Sequence, residues 1–181
     1  MPTDPTRRDF MMTTGAGLLA AAAPAATTQL APPEKQRPGL NVPKQADKPV
    51  GWAIVGLGQL ALAEVMPAFR EAKLSRPVAL VSGHPDKANQ VAAFYGIDPK
   101  KIYSYENFDS IKNNPDIDVV YVVLPNSMHA EYTIRAAEAG KHVICEKPMA
   151  LSVEDCNKMI AACKKAGKSL SIGYRLHFEP F

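Results

Sequence analysis

The sequence predicts an α/β fold: a mostly parallel sheet with helices wound on both faces. Three observations carry the prediction. Short apolar runs alternate with helical stretches from residue 50 onward, glycines stop those helices, and a glycine-rich turn directly follows the first apolar run. Strands that alternate with helices imply parallel pairing through helical crossovers.

Residues 50–55 (Val-Gly-Trp-Ala-Ile-Val) form an apolar run of the kind that is covered on both faces of a sheet. A helix follows over about residues 61–72, and residues 78–81 (Val-Ala-Leu-Val) read as the second strand. The next helix spans 86–95 and ends at Gly96. Residues 118–124 carry the strongest strand signal, followed by a helix over 129–139 that stops at Gly140. Residues 142–145 form a strand, 152–165 a helix, and 169–173 a last strand. Ser152, with Asp155 three residues on, fits a helix N-cap with an acidic first turn. Trp52 is expected to pack in the core or against the preceding segment.

Gly56-Leu57-Gly58-Gln59-Leu60-Ala61 has the G-x-G-x-x-A spacing of a dinucleotide-binding turn of Rossmann type, and it sits between a buried strand and a helix. Gly56 permits the tight turn, Gly58 lets the backbone approach a pyrophosphate, and Ala61 keeps the helix close to the strand. The helix N-terminus offers free N–H groups and a partial positive charge to the phosphates. The end of the second strand selects the nucleotide. NAD sites usually place a carboxylate there for the ribose 2′-hydroxyl. This chain instead has Ser82-Gly83-His84-Pro85-Asp86-Lys87. Ser82 removes the charge that would repel a 2′-phosphate and Lys87 can supply a positive one, so NADP is expected. Asp86 leaves NAD open as the less favoured cofactor.

Composition bounds the remaining classes. The chain has 181 residues, 46% hydrophobic and 22% charged, which suits one globular domain with a tail. A net charge of +3 without a basic stripe argues against nucleic-acid binding. The three cysteines, Cys145, Cys156 and Cys163, lack C-x-x-C spacing, so neither a metal site nor a disulfide framework is expected and the thiols read as small buried apolar groups.

Residues 1–25 read as an export signal. Arg7 and Arg8 precede a short apolar run, Pro24 closes it, and Ala23-Pro24-Ala25 resembles a cleavage site. The run is too short to span a bilayer, so no membrane insertion is expected. Thr6-Arg7-Arg8-Asp9-Phe10-Met11 resembles the twin-arginine signal of bacteria, which implies a periplasmic destination and a nucleotide loaded before export. Residues 26–48 are polar and hold four prolines, Pro32, Pro33, Pro38 and Pro43, as expected of a linker or an arm that orders on a second copy of the chain. The dinucleotide-binding domain is then 49–176.

Cys145-Glu146-Lys147-Pro148 at the end of a strand, together with the Leu124-Pro125-Asn126-Ser127-Met128-His129 loop and Gly173-Tyr174-Arg175, resembles the Gfo/Idh/MocA oxidoreductases. The resemblance covers nearly the whole chain. It implies that Lys147 stands beside the nicotinamide and contacts the sugar oxygen being oxidised or reduced. It also places Leu124, Pro125, Asn126, His129, Glu146, Tyr174 and Arg175 along the cofactor cleft. A lysine suits that task, since an ammonium can stabilise charge on a reacting oxygen and orient the sugar. On the residues alone, Asn126 reads equally as a turn residue and His129 as the first residue of a helix, while for Arg175 a surface charge is the less favoured alternative. Members of this family carry a C-terminal α+β domain that lines the sugar pocket. On this reading that domain is expected to be absent from this chain, with residues 177–181 as the start of the junction to it. The chain is therefore expected to be the N-terminal half of an NADP-dependent sugar oxidoreductase, inactive by itself. The alternatives are a nucleotide-binding module without catalysis and an NAD-dependent sugar or inositol dehydrogenase that uses free cofactor.

Overall fold

The alternation of apolar runs and helices builds a six-stranded sheet, every pair of neighbours parallel, in the order β3-β2-β1-β4-β5-β6. The computed structural model describes residues 48–178, so the expected signal (1–25) and nearly all of the expected arm (26–48) lie outside the described residues. The strands are β1 (Val50–Val55), β2 (Ser75–Val81), β3 (Ile102–Tyr103), β4 (Val119–Val122), β5 (His142–Cys145) and β6 (Leu170–Ile172). Between them run α1 (Met66–Glu71), α2 (Pro85–Tyr95), α3 (His129–Glu138) and α4 (Val153–Ala166). A π-helical segment, Ala61–Val65, leads into α1.

Alternation along the central strands feeds two apolar layers. Ala53, Val55, Ala79, Val81, Val120 and Val122 join Phe108, Tyr132, Ala136 and Met159 on one face. Ile54 and Leu80 point the other way, to Ala61, Met66, Ala88 and Ala92. This two-sided burial is why the central strands read as unbroken apolar runs rather than as alternating ones. Each fully buried Ile, Leu or Val contributes about 1.5–3 kcal/mol relative to exposure. Trp52 is half-buried against Phe69 and Tyr121, at ring-centroid distances of 5.8 and 6.3 Å, and its buried indole N–H has no hydrogen-bond partner among the described residues.

Two elements depart from the expected pattern. β2 starts three residues earlier than its apolar run, because Ser75-Arg76-Pro77 hides the pairing. The register with β1 slips there, with Trp52 opposite Pro77 and Ala53 opposite Ala79. Proline has no N–H for a ladder, and β3 pairs only with Leu80 and Val81, so no bond is lost on that side. β3 itself, two residues long, carries no period that a sequence could show. The remaining boundaries agree to within about two residues.

β1 leads to β2 and β3 on one side and the chain then returns to place β4 on the other side of β1. Open α/β sheets bind ligands at such a reversal, outside the carboxyl ends of the strands.

Candidate functional site

Five loops emerge at the carboxyl ends of β1, β2, β4, β5 and β6, and they carry every site residue expected from the sequence. At the end of β1, Gly56 has φ +93°, and a Cβ there would collide with the Val123 carbonyl oxygen. Only glycine fits. Leu57 and Ala61 are buried, which anchors the turn, while Gly58, Gln59 and Leu60 are exposed. A Cβ built on Gly58 would meet no atom within 4 Å, so the missing side chain leaves room above the backbone. The turn fits a pyrophosphate: a bare backbone edge followed by the first N–H groups of a helix. Leu57 belongs to the apolar layer, so only its backbone is on offer.

At the end of β2, Ser82 is buried and its Oγ accepts from the His84 N–H at 3.0 Å. Lys87, in the first turn of α2, donates from Nζ to the Leu57 carbonyl at 3.5 Å. That contact places the ammonium beside the glycine-rich turn, thirty residues away in sequence. Asp86 is exposed in the same helical turn. Gly83 lies against the Tyr105 ring, where a Cβ would stand 3.1 Å from Cε2. Tyr105 was not foreseen as a wall of this loop, because it follows the unforeseen strand β3.

At the end of β4, Leu124 is half-buried and reaches the first glycine: its Cδ2 would lie 2.9 Å from a Cβ on Gly56. Pro125, Asn126 and Ser127 are exposed on a short 3₁₀ turn. His129 requires a correction. The sequence placed it among the groups that face the cofactor, but its ring is fully buried. Nδ1 lies 2.8 Å from the Pro148 carbonyl and Nε2 lies 2.9 Å from the Leu124 carbonyl. Both polar atoms are spent within the protein, so the ring joins the loops that follow β4 and β5.

At the end of β5, Lys147 is exposed and precedes the cis Lys147–Pro148 peptide. The Glu146 carboxylate is clamped: it accepts from the Tyr121 hydroxyl at 2.6 Å and from the Lys147 N–H at 3.2 Å. Burial, followed by the bond to Glu146, pushes the Tyr121 phenol well above its ordinary range, so it remains a donor. Gly173, at the end of β6, lets this carboxylate lie close; a Cβ there would stand 3.0 Å from Oε1. Glu146 is thus tied to β4 and β6. Tyr121 escaped the sequence reading because it sits inside a strand that looked like pure core. Tyr174 and Arg175 are exposed just beyond β6, at and before a 3₁₀ turn (Arg175–Phe178).

A chain of contacts therefore runs from Lys87 to the Gly56 turn, on to Leu124, through His129 to Pro148, and along Glu146 to Gly173. Among the described residues no group of His, Cys, Asp and Glu is placed to hold a metal ion, and no helix is long and apolar enough to cross a membrane. The model of the oxidoreductase family with an NAD-binding Rossmann fold, Gfo/Idh/MocA, matches residues 50–174. The chain belongs to the Gfo/Idh/MocA oxidoreductase family.

Several relatives are named for sugar substrates. The chain is 37% identical over 134 residues to D-xylose 1-dehydrogenase [NADP(+)] of Haloarcula marismortui, a match over 74% of this chain and 37% of the relative. Among solved structures, aldose-aldose oxidoreductase of Caulobacter crescentus, complexed with glycerol, is 56% identical with a TM-score of 0.71. That match covers 73% of this chain and 39% of the other. KijD10, a 3-ketoreductase of Actinomadura kijaniata in complex with NADP, is 28% identical with a TM-score of 0.66, over 74% of this chain and 41% of the other. The chain thus spans roughly two fifths of the length of such Gfo/Idh/MocA relatives. The domain they share with it is the one that binds a nicotinamide dinucleotide.

Proposed function

We propose that this chain is the nucleotide-binding half of an NADP-dependent sugar oxidoreductase of the glucose–fructose oxidoreductase kind. The observation that carries the reading is Lys147, exposed at the carboxyl end of β5 on a segment fixed by Glu146, Tyr121 and His129. Gly56 to Ala61 would hold the pyrophosphate, Ser82 and Lys87 the adenosine ribose with its 2′-phosphate, and the Leu124 to Asn126 loop the nicotinamide side. When bound, the nicotinamide gives or takes the hydride. Lys147 would orient the sugar and stabilise charge on the oxygen whose carbon reacts. In the complete enzyme an aldose such as glucose would be oxidised to its lactone and fructose reduced to sorbitol, with the same bound NADP serving both halves.

The expected outcome for Lys147→Ala in the complete protein is retained NADP with turnover lower by about two to four orders of magnitude, the range of positioned acid–base groups. Bound nucleotide is read by absorbance and fluorescence, turnover with glucose and fructose. Undiminished turnover would remove Lys147 from the chemistry.

A second reading, an NAD-dependent sugar or inositol dehydrogenase with exchangeable cofactor, is favoured by Asp86, whose carboxylate is exposed in the same turn as Lys87. Comparing NADP with NAD affinity separates the two. A third reading, a nucleotide-binding module without catalysis, predicts bound nucleotide with no sugar turnover in the complete protein. The same proposal has Arg7 and Arg8 direct export by the twin-arginine route, which Arg7→Lys with Arg8→Lys should block. It also has segment 26–48 join copies of the chain, so its deletion should lower the mass measured by light scattering.

A further inference from the structure

The His129 ring is fully buried and touches the loops that follow both β4 and β5. Its two partners, the carbonyls of Leu124 and Pro148, can only accept hydrogen bonds. A ring that carries a proton on each nitrogen satisfies both; a ring with one proton satisfies one. Leu124 lies against Gly56 at the phosphate turn, and Pro148 is the residue after Lys147. The ring therefore spans from the backbone that borders the phosphates to the backbone that carries the lysine. α3 begins at His129, so the brace is seated on a helix rather than on either of the two loops it joins.

We propose that His129 is a positioning residue: through the Pro148 carbonyl it sets where Lys147 stands relative to the nucleotide turn, and it touches neither nucleotide nor sugar. This rests on the reading of Lys147 as the group that polarises the sugar oxygen. Misplacing such a group by about 1 Å is enough to lower turnover about a hundredfold.

Three variants of the complete protein test the assignment. An Asn amide nitrogen falls near the place of Nδ1, so His129→Asn can keep the bond to Pro148. A Gln amide nitrogen falls near that of Nε2, so His129→Gln keeps the bond to Leu124 instead. His129→Phe keeps the ring shape and loses both. The expected result is a kcat lower by about 10- to 100-fold in the Phe and Gln variants, recovery to within about fivefold in the Asn variant, and NADP dissociation constants within about threefold throughout. A Phe variant with unchanged kcat, a Gln variant as active as the Asn variant, or NADP affinity that falls in step with kcat would each overturn the proposal. If the Phe variant does not fold, the Asn and Gln pair decides.

Amide hydrogen exchange provides a readout that needs no turnover. Exchange across residues 146–151 should quicken in the Gln variant and not in the Asn variant, with residues 50–55 as the unchanged reference. Equal rates in both variants overturn the brace. Absent sugar turnover in the unmodified protein, with the exchange pattern as expected, would instead refute the proposed reaction and leave the brace standing.

Discussion

Lys87 donates to the Leu57 carbonyl over 3.5 Å, a long and weak bond that an anion beside it would outcompete. The end of β2 holds Ser82 in place of a carboxylate, so the residue at that strand end does not itself repel a phosphate on the ribose. A charge-assisted bond to phosphate is worth about 1.5–3 kcal/mol, or roughly 10- to 100-fold in affinity. Lys87→Ala should therefore raise the NADP dissociation constant by about that factor and leave that of NAD within about threefold. Fluorescence titration of the two reduced cofactors measures it, and equal weakening of both would assign Lys87 to the turn and not to the 2′-phosphate. The residue scale is also where the sequence reading was least complete. The places of Lys147, Gly56 and Lys87, at strand ends and in a turn, were legible because the strand and turn signals beside them are local. Tyr121 was not, because its hydroxyl acts from within a strand. His129 was visible as a residue but not as a role, since only packing shows which way a ring faces.

At the scale of elements, the helix boundaries were written in local chemistry. The Ser152 hydroxyl oxygen accepts from the Asp155 N–H at 3.0 Å and caps α4, which ends at Gly167 with φ +64°. α4 contributes Met159 and Cys163 to the apolar layer that also holds Val143 and Cys145 of β5. Ser152→Ala should destabilise the protein by about 0.5–2 kcal/mol, read as a lower denaturant midpoint with an unchanged slope. A midpoint that does not move would mean that water replaces the cap in full. β3 and the start of β2 were illegible for the opposite reason. Ile102 and Tyr103 pair only because β2 lies beside them, and no local property of two residues encodes a neighbour.

For the molecule as a whole, the buried acids agree in sign. Burial pushes the Cys145 thiol up to about 11, and Cys163, Tyr105, Tyr121 and Tyr132 are also raised, mainly by burial. A group whose folded pKa lies above its unfolded value contributes stability that is complete below the unfolded value. For Cys145 that contribution is lost as pH rises from the ordinary thiol value of 9.0 through about 11. Lys141, lowered by burial, works against this trend. Stability measured in denaturant should thus fall between about pH 9 and 11, and Cys145→Ala should flatten part of the fall at some loss of packing. At pH 8 a thiol reagent should label half-buried Cys156 before Cys145 or Cys163, which are both buried. Early labelling of Cys145 would contradict its burial.

By itself the sequence determined the α/β class, the order of all strands but one, the glycine-rich turn after β1 and the lysine at the end of β5. Each of these is a local pattern: a period, a stop signal or a residue type whose backbone or charge has one main use. Only the tertiary structure decided the place of β4 on the far side of β1, the two-residue strand β3, the reach of Lys87 to the turn and the burial of His129 between two carbonyls. Those depend on which segments lie side by side, and a linear pattern carries no record of a partner nineteen or thirty residues away.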